Sequence, residues 1–152
     1  MERITGLTFP EKSLKVEIYE GPSFSGAGKD PMRLRASYTA DEKKGTLVHE
    51  LGHRINSQIR KRPSDLDEHR LLFLYLYDLY VDLYAKDFAD GQVAFSRSLK
   101  GLYDYDAAWN WALAMTREQR LARFAKAVKT AARAEADQPP IDKPVPSRPV
   151  CR

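Results

Sequence analysis

The sequence predicts a small α+β domain in which short N-terminal strands precede a mainly helical core. Three observations favour this class: apolar and polar residues alternate along residues 14–19, helix-start motifs recur from Thr39 onward, and residues 66–84 are apolar almost all round. A length of 152 residues, with 43% hydrophobic and 30% charged side chains, is typical of one globular domain. We therefore expect a single domain over residues 1–137.

Charge and cysteine content exclude several classes of protein. The 25 Lys and Arg against 21 Asp and Glu give a net charge of +4, too small an excess to predict a nucleic-acid partner. The single cysteine, Cys151, excludes an internal disulfide framework and a cysteine-rich zinc cluster. The N-terminus lacks a signal-peptide pattern, and no apolar run is long enough for a bilayer span. We expect a cytoplasmic protein without a membrane partner.

Two short strands are predicted in the first forty residues, which we expect to be extended. Leu14, Val16 and Ile18 alternate with polar neighbours, which is typical of a strand with one buried face. A second strand is predicted over Met32 to Ser37.

Two long helices should follow. Thr39 and Glu42 form a capping box, so the first helix begins near Ala40 and ends near residues 56–61. Its buried face should hold Leu47, Val48, Leu51 and Ile55. Ser64, with Asp67 three residues on, predicts the start of the second helix, which should lie in the middle of the core.

The C-terminal half should contain further helices. Asp90-Gly91 and Lys100-Gly101 suggest the boundaries of a third helix, and Asp104 can cap a fourth that carries Trp109 and Trp111 into the core. Thr116 and Gln119 form a capping box for the last. Its buried stripe should comprise Leu121, Phe124, Ala125 and Val128, with a solvated basic face of Arg123, Lys126, Lys129 and Arg133. Residues 138–152 hold five of the nine prolines, so we expect a flexible tail.

The chemistry of the sequence is concentrated in the segment His49-Glu50-Leu51-Gly52-His53, an HExxH motif inside the first predicted helix. Side chains four residues apart lie one above the other on a helix, so both imidazoles can reach one metal ion, and imidazole suits zinc. Glu50 is rotated by about 100° from His49, which places its carboxylate beside the metal as a base. Gly52, unfavourable inside a helix, suggests a close approach by another group.

The motif resembles the active-site helix of the zincin metallopeptidases. The resemblance covers these five residues strictly, and the strand, strand, helix, helix order of residues 14–85 is similar to the small catalytic core of that group. It implies that His49 and His53 bind Zn²⁺ and that Glu50 activates a zinc-bound water. The metzincin extension is absent, since Asn56 and Ile59 stand where that subgroup has glycine and histidine.

A third protein ligand is expected, because catalytic zinc sites usually combine three protein ligands with one water. If the second helix returns antiparallel to the first, the residues level with the motif are about 68–72 or about 74–78, depending on where the first helix ends. The candidates are His69, Glu68 and Asp78. Resemblance to the gluzincin branch favours Glu68, but His69 is the only other histidine, and we favour it as the third metal ligand.

The remaining carboxylates of the second helix also need partners, because a buried carboxylate is costly unless it is paired. Asp78 or Asp82 could accept a hydrogen bond from a zinc-bound imidazole. A salt bridge to Arg54 or Arg70 is the alternative.

The sequence thus favours a zinc-dependent metallopeptidase that hydrolyses a peptide bond of a peptide or protein substrate. We also expect Met32 to Ser37 to act as an edge strand that aligns the substrate. An alternative is a zinc-binding, non-hydrolytic regulatory or partner-binding module, for which both Glu68 and His69 would close on the metal.

Overall fold

The computed structural model describes residues 1–26, 30–101 and 103–137, and these residues have the predicted α+β class. The predicted tail at residues 138–152 lies outside them. In chain order the elements are α1 (Glu2–Thr5), β1 (Val16–Tyr19), β2 (Met32–Arg35), α2 (Ala40–Asn56), α3 (Glu68–Tyr84), α4 (Lys86–Ser98), α5 (Tyr105–Leu113) and α6 (Arg117–Ala136).

The two strands form a parallel sheet in which Val16 pairs with Met32 and Ile18 pairs with Leu34. Both strands are confirmed, but the predicted buried face of β1 is wrong. Val16 and Ile18 are 40% and 59% exposed, whereas Met32 and Leu34 are buried. Helix α2 packs against β2. Strand β1 lies beyond this helix, and its apolar side chains therefore stay exposed. The first residues, expected to be extended, instead form the one-turn helix α1.

Helix α2 begins where the sequence predicts. The N–H of Glu42 donates to Thr39 Oγ1 over 3.3 Å, and the Glu42 carboxylate accepts from the Thr39 N–H over 2.7 Å, which completes the capping box. Of the four residues predicted to be buried on this helix, two are buried and two are half-buried: Val48 and Ile55, then Leu47 and Leu51.

Helix α3 forms the centre of the core, as predicted. Residues 71–76 are fully buried, and the helix contacts α2, α4, α5 and α6. A helix that is apolar almost all round requires partners on every side, and here other helices supply them.

The predicted start of α3 at Ser64 is wrong. The helix begins at Glu68, and Asp67 is its N-cap, with a carboxylate that accepts a hydrogen bond from the backbone N–H three residues on. Ser64 lies instead in a separate turn, closed by a hydrogen bond from the Leu66 N–H to the Pro63 carbonyl. Aspartate caps helices at least as well as serine, so Asp67 caps α3 in place of Ser64.

The predicted boundary at Asp90-Gly91 is also wrong, because both residues lie within α4. The break between α3 and α4 falls at Ala85, which has a φ of 77°. Asp90 and Gly91 are exposed, so the low helix propensity of this pair is tolerated at the surface.

Helices α5 and α6 begin at their predicted caps, Asp104 and Thr116. Trp109 is fully buried, but Trp111 is only half-buried, with the Arg70 and Arg123 guanidinium groups over its ring.

The buried stripe of α6 differs from the predicted one, since Ala125 is exposed. It consists of Arg120, Phe124, Ala127 and Ala131.

A buried ion pair joins α3 to α6. Arg120 Nη2 lies 2.7 Å from Asp78 Oδ1, and Arg120 Nε lies 3.1 Å from Asp78 Oδ2. The same guanidinium donates to the carbonyl of Met115 over 2.6 Å, in the turn between α5 and α6. Two parallel hydrogen bonds fix the relative orientation of both groups. The Asp78 carboxylate therefore links α3 to α6.

Helices α2 and α3 approach closely at Gly52, as the sequence suggested. A Cβ at this position would lie 2.3 Å from Leu72 Cδ1 and 3.1 Å from Tyr75 Oη. The Tyr75 hydroxyl donates to the Gly52 carbonyl over 3.2 Å. Glycine is required here because a side chain would separate the two helices.

We expect Gly52→Ala to destabilise the protein by about 1–3 kcal/mol, since the added methyl must displace a buried leucine. The matched control is Gly91→Ala in α4, where nothing lies within 4 Å of the new Cβ. That variant should gain up to about 1 kcal/mol from higher helix propensity. Urea unfolding of both variants measures the two effects, and a Gly52→Ala protein as stable as wild type would contradict the close approach.

Candidate metal centre

Three histidines meet at the junction of α2 and α3. His49 and His53 lie one turn apart on α2, and their Nε2 atoms are 3.1 Å apart. His69, in the first turn of α3, has its ring centroid 5.4 Å from that of His49 and 4.9 Å from that of His53. One ligand atom from each of the three lies within 4.8 Å of the others. The structure thus brings the third histidine to the HExxH pair.

The spacing of these nitrogens suits a tetrahedral metal ion. Two nitrogens bound at about 2.0–2.1 Å to one tetrahedral ion are roughly 3.3 Å apart, close to the 3.1 Å between His49 and His53. The three ligand atoms lie within 4.8 Å of one another, so the His69 ring must move inward for all three nitrogens to bind one ion.

The protonation of the histidines also suits metal binding. Burial and the neighbouring imidazoles lower the pKa of His49 well below its ordinary value, and they lower the pKa of His53 to about 4. Burial lowers the pKa of His69 as well, although Asp67 and Glu68 partly oppose it. Neutral imidazoles have the free lone pairs that a metal ion requires. The site therefore favours a cation over protons at neutral pH.

Glu50 follows His49 on α2 and is buried next to this cluster. Its side chain is 8% exposed, and burial raises its pKa to about 7. Among the described residues, no group donates a hydrogen bond to its carboxylate, and the residue lines a cleft together with His49. A nearby dication would lower this pKa and favour the ionised form. The carboxylate is free to exchange a proton with a molecule in the cleft.

The alternative ligands are held elsewhere. Glu68 is exposed, and its carboxylate lies 3.1 Å from Arg62 Nη1. Asp78 is bound by Arg120, as described above. Because α2 ends at Asn56 and α3 begins at Glu68, the first turn of α3 lies level with the motif. Neither alternative carboxylate joins the histidines, and a four-ligand closure by Glu68 and His69 together does not form.

The predicted hydrogen bonds from Asp78 or Asp82 to a metal-binding imidazole are wrong, and so are their predicted ion-pair partners. Asp82 receives two hydrogen bonds from Arg117, of 2.7 and 2.8 Å. Both carboxylates face α6, away from the histidines. Charged partners on α6 therefore replace the expected Arg54 and Arg70.

Two tyrosines lie against His69: Tyr103, just before α5, and Tyr105, the first residue of α5. The Tyr105 hydroxyl lies 3.3 Å from His69 Nε2, and the Tyr103 ring centroid lies 4.2 Å from that of His69. The Tyr103 hydroxyl donates to Asp67 Oδ1 over 2.9 Å. Burial and the Glu50 carboxylate raise the pKa of Tyr105, so its hydroxyl stays protonated and can donate a hydrogen bond.

A cleft of about 650 Å³ opens onto this site. Its walls come from the turn before β2, from α2, α4 and the segment leading into α5. His49, Glu50 and Tyr105 lie along it, as do the aromatic side chains of Tyr38, Phe95 and Trp109. A volume of this size admits a few residues of a peptide chain.

The predicted role of residues 32–37 as a substrate-aligning edge is not supported. The N–H and carbonyl of Arg33 exchange hydrogen bonds with Phe24, of 2.8 and 2.9 Å. The Arg35 N–H donates to Ser23 Oγ over 3.1 Å. The side of β2 away from β1 is thus occupied by the protein's own chain.

Sequence reasoning missed Tyr105, Tyr103 and Arg35 as residues of the site. They come from segments far from the motif along the chain, and tyrosine or arginine is common on any protein surface. The only available signal was the position of the two tyrosines next to the Asp104 cap, which fixes them at a helix start.

Comparison with protein-family models, curated proteins and solved structures returns no match to this chain. Among the described residues, no helix combines the length and apolar character needed to cross a bilayer. Any function must therefore be argued from the site itself.

We expect His69→Ala to lose most of the metal that the wild-type protein binds, because two nitrogens hold a metal ion far less tightly than three. Glu68→Ala is the matched control, one residue away on the same helix turn, and should retain the metal. Plasma mass spectrometry of the purified proteins gives the metal-to-protein ratio. Retention of a full equivalent by His69→Ala would exclude His69 as a ligand.

Proposed function

We propose that this protein is a zinc-dependent metallopeptidase with a small zincin-like domain, in which His49, His53 and His69 hold the metal. The observation that carries the proposal is that three histidines meet at the junction of α2 and α3, next to a buried carboxylate that has no hydrogen-bond donor among the described residues. Of this group, His49 and Glu50 line the cleft. Three histidine ligands with an open fourth position are typical of catalytic zinc sites. The donor set of three nitrogens favours zinc over magnesium or calcium, which prefer oxygen.

Zinc, when bound, lowers the pKa of a coordinated water and polarises the carbonyl group that is attacked. Glu50 then accepts a proton from the attacking water and delivers it to the leaving amine, a role that requires a carboxylate with no fixed partner. Burial raises the pKa of Glu50 and so makes its carboxylate a stronger base than an exposed one, an effect that a bound metal ion would partly oppose.

Tyr105 has a separate part in the proposed mechanism. Its protonated hydroxyl lies beside His69 and lines the same cleft as Glu50. We assign it the donation of a hydrogen bond to the substrate oxygen that gains negative charge. Such a donor stabilises the transition state more than the ground state.

We expect Glu50→Gln to retain zinc and to lose peptidase activity by a factor of about 10²–10⁴, since it removes the proton acceptor and leaves the ligands unchanged. Cleavage is measured on a library of peptides from a digested proteome, with products identified by mass spectrometry. A zinc-loaded wild type that cleaves nothing, and a variant that behaves identically, would support the non-hydrolytic zinc-binding module instead.

We expect Tyr105→Phe to lower kcat on the order of 10²-fold with little change in KM, because the lost hydrogen bond forms only in the transition state. Tyr103→Phe is the control, since that hydroxyl is bound to Asp67 and should leave kcat nearly unchanged. Zinc content is measured on both variants. Equal kcat values for the two would contradict the role assigned to Tyr105.

A further inference from the structure

The charges along the cleft are unequally distributed. Of its lining residues, those with full charges are Glu50, the base, and two cations, Arg35 and Lys100. Apart from the base, the residues that line the cleft supply only positive charge to a bound ligand.

Arg35 is held at the cleft wall by two contacts. Its Nε donates to the Gly21 carbonyl over 3.1 Å, and its Cζ lies 5.6 Å from the centroid of the Tyr38 ring. The side chain is half-buried. These contacts fix the plane of the guanidinium group, so less side-chain entropy is lost when a ligand binds it.

The two terminal nitrogens of Arg35 lack partners within the described residues. No ion pair of the described residues involves Arg35 or Lys100, an exposed residue that also lines the cleft. Most of the other arginines are engaged: Arg54, Arg117 and Arg120, for example, all pair with carboxylates. Arg35 thus presents an unused two-nitrogen fork to whatever occupies the cleft.

We propose that the cleft selects substrates that carry a carboxylate close to the bond to be cleaved, bound by Arg35 with support from Lys100. A guanidinium fork binds a carboxylate through two parallel hydrogen bonds, and the pair is stronger where water is partly excluded. The carboxylate has two sources, an acidic side chain or the C-terminus of the peptide. This inference rests on the proposed function, because it describes the substrate of the same site.

The first arm of the test measures binding without hydrolysis. The full-length, zinc-loaded Glu50→Gln protein is titrated with 3-phenylpropanoate and with its neutral amide, and binding is followed by NMR chemical shifts. We expect the acid to bind at least 10-fold more tightly than the amide. Adding Arg35→Gln should remove that difference, whereas adding Arg33→Gln, an exposed neighbour paired with Glu17, should preserve it.

This arm also separates the arginine from the metal as the anchor of the carboxylate. A preference for the acid that persists in the Arg35→Gln protein would place the carboxylate on the metal and overturn the inference. Equal binding of acid and amide would overturn it too. Neither result depends on whether the protein cleaves peptides.

The second arm uses the proteome-derived peptide library with the wild-type, Arg35→Gln and Arg33→Gln proteins. We expect wild-type cleavage sites to be enriched in nearby carboxylates, and Arg35→Gln to raise KM for such peptides about 10–100-fold with little change in kcat. Sites next to internal Asp or Glu would identify the side chain as the source. Cleavage confined to the last residues and abolished by C-terminal amidation would identify the terminus.

The two arms distinguish the failures. Cleavage without any preference for carboxylates would support the peptidase proposal and contradict the carboxylate site. Arg35-dependent binding of the acid by a protein that cleaves nothing would support the carboxylate site and contradict the peptidase proposal.

Discussion

The close approach of α2 and α3 at Gly52 is the contact on which the site depends. Tyr80 Oη donates to the Gly45 carbonyl over 2.8 Å, and Tyr75 Oη donates to the Gly52 carbonyl, so hydrogen bonds follow the contact between the helices. Their order shows that α3 runs back along α2. His69 at the start of α3 is consequently brought to the end of α2 that carries His53.

The carboxylates of α2 and α3 fall into two sets. Asp78, which is buried, and Asp82, which is exposed, lie on the side of α3 that faces α6, and each pairs with an arginine. Glu50, buried on the face of α2 that lines the cleft, has no such partner among the described residues. A buried carboxylate without a partner is costly for stability, and this cost supports the role proposed for Glu50. The paired aspartates, by contrast, are explained by the architecture.

The cleft depends on contacts distant in sequence. Arg54, buried on α2 one residue after the motif, binds Glu11 Oε1 over 2.8 Å, the Ser25 carbonyl over 2.6 Å and the Asp30 carbonyl. These contacts attach the N-terminal segment to the helix that carries His49 and His53. The opposite wall comes from α4 and the segment leading into α5. The three histidines are therefore local to two helices, whereas the walls of the cleft come from segments far apart along the chain.

The sequence by itself determined the α+β class, both strands, the capping boxes at Thr39 and Thr116 and the His49, Glu50 and His53 motif, because each depends on residues within one helical turn or one strand. It could only narrow the residue that joins the two histidines to His69, Glu68 or Asp78, since that choice depends on where α2 ends and where α3 begins. The outward face of β1 and the pairing of Asp78 with Arg120 were decided by packing between elements far apart in the chain. So was the union of Arg35 and Tyr105 in one cleft, because side chains from separate segments become neighbours only when the helices and strands pack together.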